Sequence, residues 1–177
     1  MSYELVHLSD NTCIMLLHFT AYIDDPREFI DSIRALEPRV TIQVLNTDNI
    51  LREQVIEVVK QSIEARKRSI LLADRIEIDI MLRLACTEQI SKAIELIGLR
   101  RGVNNALVVA LGEDDVVSRL GERLSSMLHT TEFKEISYND LQLLHGIDEG
   151  EVSSVIAESD LEALIGILAE RANLLYR

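Results

Sequence analysis

A short amphipathic helix that leads into a buried-type strand constrains the fold of this chain more than any other sequence feature. Four apolar residues recur at spacings of three and four and so share one helix face: Ile90, Ala93, Ile94 and Ile97. Thr87 can cap the start of this helix, and Gly98 can end it in a left-handed turn. The unbroken apolar run over residues 106–111 then predicts a strand that is buried on both faces.

Predicted strands and helices also alternate along the rest of the chain. Strands are expected over residues 3–8 and 13–19, paired around a turn at residues 9–12, and again over 40–45 and 132–136. Capping residues predict helices that start at Asp25, at residues 46–48, at Asp114 or Asp115, at Ser137, at Asp148 and at Ser159.

Residues 74–85 fit two patterns. Ile76, Ile78, Ile80 and Leu82 alternate as in a strand, whereas the pair Asp74 and Glu77 can form a capping box. The helix-forming composition favours a helix. The economical interpretation of the whole chain is a mixed α/β fold in a single domain, residues 1–177. A small mixed sheet would be packed with helices, and the last helices could form a lobe.

The charge of the chain is unevenly distributed. Formal net charge is −12, which by itself argues against a nucleic-acid partner because phosphate repels an acidic surface. Residues 60–101, however, hold nine Lys/Arg against six Asp/Glu, while the rest of the chain holds nine against twenty-four. The basic segment fits either a phosphate-binding surface or a set of solvated helix faces.

Composition and motifs exclude several classes of site and leave others open. The sequence has no Gly-rich phosphate loop, HExxH or GxSxG motif, and its two cysteines lack zinc-ligand spacing. We expect no cofactor and no metal, and a soluble, cytoplasmic protein without a signal peptide or membrane segment. Cys13 and His18 could form a nucleophile pair, but five residues apart on one strand they would face opposite ways. Residues 113–115 could hold a metal or simply cap a helix.

One block resembles a known family. Residues 79–98, DIMLRLACTEQISKAIELIG, resemble the signature of the PRPK-binding protein family, in which Ser-Gly-x-x-Gln-Ile-x-x-Ala precedes Ile/Phe-Gly. Residues 43–48, QVLNTD, are similar to the strand-to-helix turn of that family. The likeness covers residues 43–120, and the chain length is similar to that of archaeal members. Ala85 and Cys86 depart from the pattern because they replace the usual Ser-Gly.

The resemblance implies a non-catalytic function. The family is the small subunit of the KEOPS complex, which attaches threonylcarbamoyl to N6 of the adenosine that is 3′ of the tRNA anticodon. Such a subunit would form a heterodimer with the kinase-like subunit and bind tRNA, particularly its single-stranded 3′ CCA end. Catalysis would belong to another subunit, so we expect that this chain is not an enzyme.

Candidate contacts follow from the basic segment and from the family block. Those expected to bind tRNA are Lys60, Arg66, Lys67, Arg68, Arg75, Arg83 and Gln89. We expect Ile90 to lie in the core and Gln89 to lie outside it. The helix around Ile80 and the final helix have an apolar surplus, which predicts partner contacts at Ile78, Leu82 and Leu174, with Tyr176 also off the main stripe.

Two alternative functions stay open. Layered α/β folds with a half-covered face often bind ligands, so a small-molecule-binding regulatory domain is the main alternative. An enzyme is possible only if the His and Cys side chains converge in a pocket.

Overall fold

The computed structural model describes residues 3–8 and 11–175, which confirm the predicted mixed α/β fold. Over these residues the strands are β1 (Glu4–His7), β2 (Thr12–Ile23), β3 (Thr41–Asn46) and β4 (Gly102–Glu113). The helices are α1 (Pro26–Arg34), α2 (Arg52–Lys67), α3 (Ile76–Leu84), α4 (Ile90–Ile97), α5 (Asp114–Met127), α6 (Tyr138–His145), α7 (Glu149–Ser154) and α8 (Asp160–Asn173). None of the helices in the described ranges has both the length and the apolar character that crossing a bilayer demands.

The sheet has the order β1-β2-β4-β3, and all of its pairings are antiparallel. The expectation of a mixed sheet is therefore wrong. β2 and β3 run in the same direction, but β4 lies between them, and each therefore has an antiparallel neighbour. Residues 9 and 10 of the expected turn between β1 and β2 lie outside the described residues.

The chain divides into two compact units, and the single-domain expectation stays a prediction. Unit 1 consists of residues 1–47 and 98–134 and contains the sheet, α1 and α5. Alternate side chains of β2 and β4 form its aliphatic core with residues of both helices. The core members on β2 are Cys13, Met15, Leu17, Phe19 and Ile23, and those on α5 are Val116, Val117, Leu120 and Leu124.

Unit 2 consists of residues 48–97 and 135–177 and contains the other six described helices. α3 contacts α2, α4 and α8, and among its nine residues only Ile78 is not fully buried. The helix interpretation of residues 74–85 is thus confirmed. A second apolar cluster joins Leu51 to side chains of α6, α7 and α8.

Two predicted elements differ from the structure. α2 starts at Arg52 rather than directly after residues 46–48, because the Thr47 N–H still donates to the Asn105 carbonyl beside the sheet. The side chain of Gln54 then accepts from the Leu51 N–H at the helix start. Residues 132–136 form no strand, since the backbone pairing with β2 is an isolated bridge at Thr130 that does not extend into them.

Candidate nucleic-acid interface

The C-terminal end of α2 concentrates positive charge at the surface of unit 2. Arg66 and Lys67 occupy the last turn and are exposed, and within the described chain neither forms an ion pair. Arg68 ends the helix, and its Nε lies 2.8 Å from Glu64 Oε1. We call Arg66, Lys67 and Arg68 the basic turn. Cations at this helix end also interact favourably with the helix dipole, so the basic turn has a local structural reason as well.

A left-handed residue fixes how the chain leaves the basic turn. Ser69 has φ +57°, and its N–H donates to the Arg66 carbonyl. The next N–H, that of Ile70, donates to the Ala65 carbonyl at 2.9 Å. These two bonds make a Schellman motif, which satisfies the last carbonyls of the helix and defines the direction of the following residues.

A cavity of about 750 Å³ in unit 2 adjoins the basic turn. This volume falls in the range of small-molecule and nucleotide sites. The cavity is lined by Gln61, Glu64, Ala65, Arg68, Ser69, Ile70, Leu71, Leu72, Arg83, Asn173 and Leu175. Gln61 donates from Nε2 to the Ala169 carbonyl at 3.0 Å, whereas its Oε1 is buried without a hydrogen-bond donor among the described residues. The lining therefore contains one cation close to the surface and one acceptor that lacks a partner.

Lys60 and Arg75 are exposed but already paired with acids. Lys60 Nζ lies 2.7 Å from Glu57 Oε1, and Arg75 pairs with Glu77. The Lys60 pair is exposed on both sides and contributes little free energy, so an incoming phosphate can replace its carboxylate. Glu77, in contrast, is buried beside Arg75. Neither Lys60 nor Arg75 lines the cavity. The structure brings only part of the predicted cation set together, and Lys60 and Arg75 are peripheral to it.

The expected role of Arg83 in contacting RNA is wrong. Only 5% of its side chain is exposed. Its Nε donates to Asp79 Oδ2 at 2.8 Å, and its Nη1 donates to the Ala172 carbonyl at 2.8 Å. The Arg83 guanidinium thus links α3 to α8 inside unit 2. A phosphate could bind Nε or Nη1 only if these bonds were broken, although Arg83 also lines the cavity.

The prediction for the start of α4 is half correct. Gln89 is exposed, and its carbonyl accepts from the Ala93 N–H as the helix begins. Ile90, however, is 48% exposed and not a core residue. The short helix buries Ala93 and Ile97 instead, and Ile94 is 51% exposed. The apolar stripe is wider than the face that packs, which leaves two isoleucines one turn apart at the surface.

The predicted partner contact at Leu82 is wrong, and the other two predicted contacts, Ile78 and Leu174, differ in exposure. Leu82 is 2% exposed because α3 is surrounded by other helices. Ile78 is half-buried, and Leu174 is 56% exposed at the end of α8. Tyr176 lies outside the described residues.

The hypothetical pair of Cys13 and His18 is separated by the alternation of β2. Cys13 belongs to the apolar core, and burial raises the pKa of its thiol. His18 instead contacts Thr47 Oγ1 through Nε2 at 3.2 Å and Thr131 Oγ1 through Nδ1 at 2.8 Å. Burial lowers the pKa of this imidazole, which favours its neutral form. The two groups therefore do not make a nucleophile and base.

Sequence reasoning missed the cavity and the role of Gln61. A glutamine in the second half of α2 gives no signal for either, because the lining also includes Asn173 and Leu175, which lie far along the chain. No family model matches the chain, and no curated protein matches it. A function must therefore be inferred from this geometry and from the resemblance in residues 79–98.

Proposed function

We propose that this protein is a non-catalytic, tRNA-binding subunit similar to the small subunit of the KEOPS complex. It would bind the 3′ CCA end of tRNA and dock on the kinase-like subunit, and so support threonylcarbamoylation by the complex. The observation that carries the proposal is that the basic turn lies beside a cavity large enough for an unstacked base.

The chemistry of an RNA end suits this arrangement. A single-stranded end presents phosphates and exposed base edges, and proteins bind it through cations and through stacking or edge contacts. Arg66 and Lys67 offer two cations that form no ion pair in the described structure, and Arg68 offers a planar guanidinium at the cavity. Oε1 of Gln61 is a buried acceptor, and its side chain would have to turn toward the cavity for this oxygen to accept from an exocyclic amine such as those of cytosine and adenine.

The backbone at Cys86 also supports the resemblance. Cys86 follows α3 with φ +48°, and the N–H groups of Cys86 and Thr87 donate back to Arg83 and Leu82. Glycine is the residue that this left-handed position favours. The family pattern has glycine at the aligned position, so this chain has the geometry of the motif without the usual residue.

A filter-binding assay with tRNA tests the RNA part of the proposal. The variant Arg66→Glu/Lys67→Glu/Arg68→Glu should bind intact tRNA more weakly and reduce the salt slope by about 0.7 for each phosphate that the basic turn no longer neutralises. Removal of the CCA end should weaken binding by the unmodified protein but have little further effect on the variant.

A matched control separates a local site from net charge. Arg119→Glu/Arg123→Glu/Lys134→Glu changes the charge by the same amount at exposed positions of unit 1. If both triple variants weaken binding equally, or if neither does, the basic turn is not the site.

Docking on a kinase-like partner needs an exposed apolar surface. Ile90, Ile94 and Leu174 are among the exposed apolar residues of unit 2, whereas Leu82 is inside it. Co-elution with the kinase-like subunit should be abolished for Ile94→Glu or Leu174→Glu, with circular dichroism unchanged. Retained co-elution by both variants would contradict these docking positions.

The cavity volume alone favours a second candidate function, a small-molecule-binding regulatory domain. In that case metabolites should raise the thermal unfolding midpoint, and tRNA binding should be weak and insensitive to the basic turn. The filter-binding assay therefore distinguishes the two functions.

A further inference from the structure

Three different elements of unit 1 bring potential metal ligands to one place. His7 ends β1, Cys13 is the second residue of β2, and Asp114 is the first residue of α5. One ligand atom from each of them, a nitrogen, a sulfur and a carboxylate oxygen, lies within 4.8 Å of the other two.

The backbone register explains this convergence. His7 pairs directly with Cys13 across the antiparallel strands, so their side chains share one face of the sheet. On its other side Cys13 pairs with Gly112 of β4, and Asp114 follows two residues later at the start of α5. Paired backbone thus positions His7 and Cys13, and Asp114 directly follows a paired strand.

The distances and exposures suit a small metal ion. His7 Nδ1 and Asp114 Oδ2 are 3.3 Å apart. Two ligands bound at about 2.0–2.1 Å to a tetrahedral zinc ion have about this separation. Cys13 is fully buried, whereas the side chains of His7 and Asp114 are 63% and 39% exposed. The sulfur therefore forms the base of the cluster, and the nitrogen and oxygen lie toward solvent.

We propose that His7, Cys13 and Asp114 bind a divalent transition metal of the zinc class, with a water molecule as the fourth ligand. The bound ion would tie the short edge strand β1 to β2 and α5. A thiolate and an imidazole select zinc or cobalt over magnesium and calcium, which prefer sets of oxygen ligands.

Metal binding must displace a proton. A cysteine thiol has an ordinary pKa of about 8.5, so without a metal ion the Cys13 sulfur carries a proton at neutral pH. On binding, the S–H bond breaks, a sulfur–metal bond forms, and the proton passes to solvent. Thiolate and carboxylate together then balance the charge of the ion. Affinity should therefore increase with pH.

Cobalt(II) titration of tag-free, reduced full-length protein tests the proposal directly. One equivalent should bind and produce a thiolate-to-cobalt charge-transfer band in the ultraviolet with tetrahedral d–d bands in the visible, and Zn²⁺ should remove both. Cys13→Ala should abolish the charge-transfer band. Since Cys13→Ala also alters the core, His7→Ala and Asp114→Asn provide the decisive comparison. Each should weaken binding by at least about tenfold, as even the loss of a residue supporting a ligand does.

Three matched variants lie outside the cluster. His129→Ala removes another exposed histidine, Asp115→Asn the adjacent acid, and Cys86→Ala the other thiol. All three should bind cobalt as the unmodified protein does. Cobalt binding without a charge-transfer band would mean that surface acids hold the ion, and it would overturn the proposal. So would a band that persists at full affinity in His7→Ala and Asp114→Asn, or that disappears in Cys86→Ala.

Discussion

The buried ion pair of Asp79 and Arg83 should dominate the stability of unit 2. Both side chains are almost completely excluded from water, at 0% and 5% exposure. Asp79 also accepts from the Leu72 N–H at 2.6 Å, and Arg83 also donates to the Ala172 carbonyl. Removing one charge leaves the other buried and uncompensated, which costs about 3–5 kcal/mol. We therefore expect Asp79→Asn and Arg83→Met each to lower the free energy of unfolding by about that amount.

The double variant should be much more stable than the two single effects suggest. The amide introduced by Asp79→Asn would retain an acceptor for the Leu72 N–H, and no charge would stay buried. The main loss is then the donor to the Ala172 carbonyl, which should lower the free energy of unfolding by about 1–3 kcal/mol. Urea unfolding followed by far-ultraviolet circular dichroism gives the coupling free energy, which should be about 3 kcal/mol or more. Asp115 and Arg119 provide a control with the same residue types and spacing, 61–64% exposed, for which the coupling should be about 0.5 kcal/mol or less. Additive effects at residues 79 and 83, or equal couplings for both pairs, would refute the argument.

Two further predictions concern unit 2. Burial and the nearby Arg171 lower the pKa of His145 to about 4, so the folded protein favours the neutral imidazole and its free energy of unfolding should fall by about 2–3 kcal/mol between pH 6.5 and pH 4. His145→Gln should flatten this pH dependence of the urea midpoint. An unchanged slope would exclude His145 as its source. Gly146 (φ +58°) and Ser69 (φ +57°) both have left-handed backbone at the end of a helix. In thermal unfolding, Gly146→Ala should destabilise the protein and Ser69→Gly should stabilise it, by about 1 kcal/mol each. Changes of the same sign would contradict the conformational explanation.

Features encoded by near neighbours in the sequence could be predicted. Asp25 accepts from the N–H groups of Arg27 and Glu28, as its position before Pro26 suggests. Ser137 and Ser159 cap α6 and α8 in the same manner. A cap needs only the residue and the three that follow it, so the sequence contains all of the information.

Features that depend on what covers a helix could not be predicted in this way. Ile90 and Leu82 both belong to apolar stretches, yet one is exposed and the other buried. The difference arises because other helices surround α3, whereas α4 packs through a narrower face. Arg83 did have a local signal, since Asp79 lies four residues earlier on a helix that is otherwise mostly apolar. An acid and a base one turn apart on such a helix indicate an internal pair rather than a binding surface.

The proposed metal cluster shows how a single residue of register decides what a sequence can reveal. Strands that end at Leu8 and begin at Cys13 would pair these two residues, and His7 would then face away from Cys13. In the structure the pairing is shifted by one residue, so that His7 opposes Cys13. A shift of one residue exchanges the two faces of a strand, and the strand pattern alone does not specify it here. Asp114 joins the cluster only because Cys13 also pairs with Gly112, a contact across about a hundred residues. The ligand set therefore has no recognisable spacing in the sequence, although an ordinary antiparallel pairing holds His7 and Cys13, and Asp114 directly follows another.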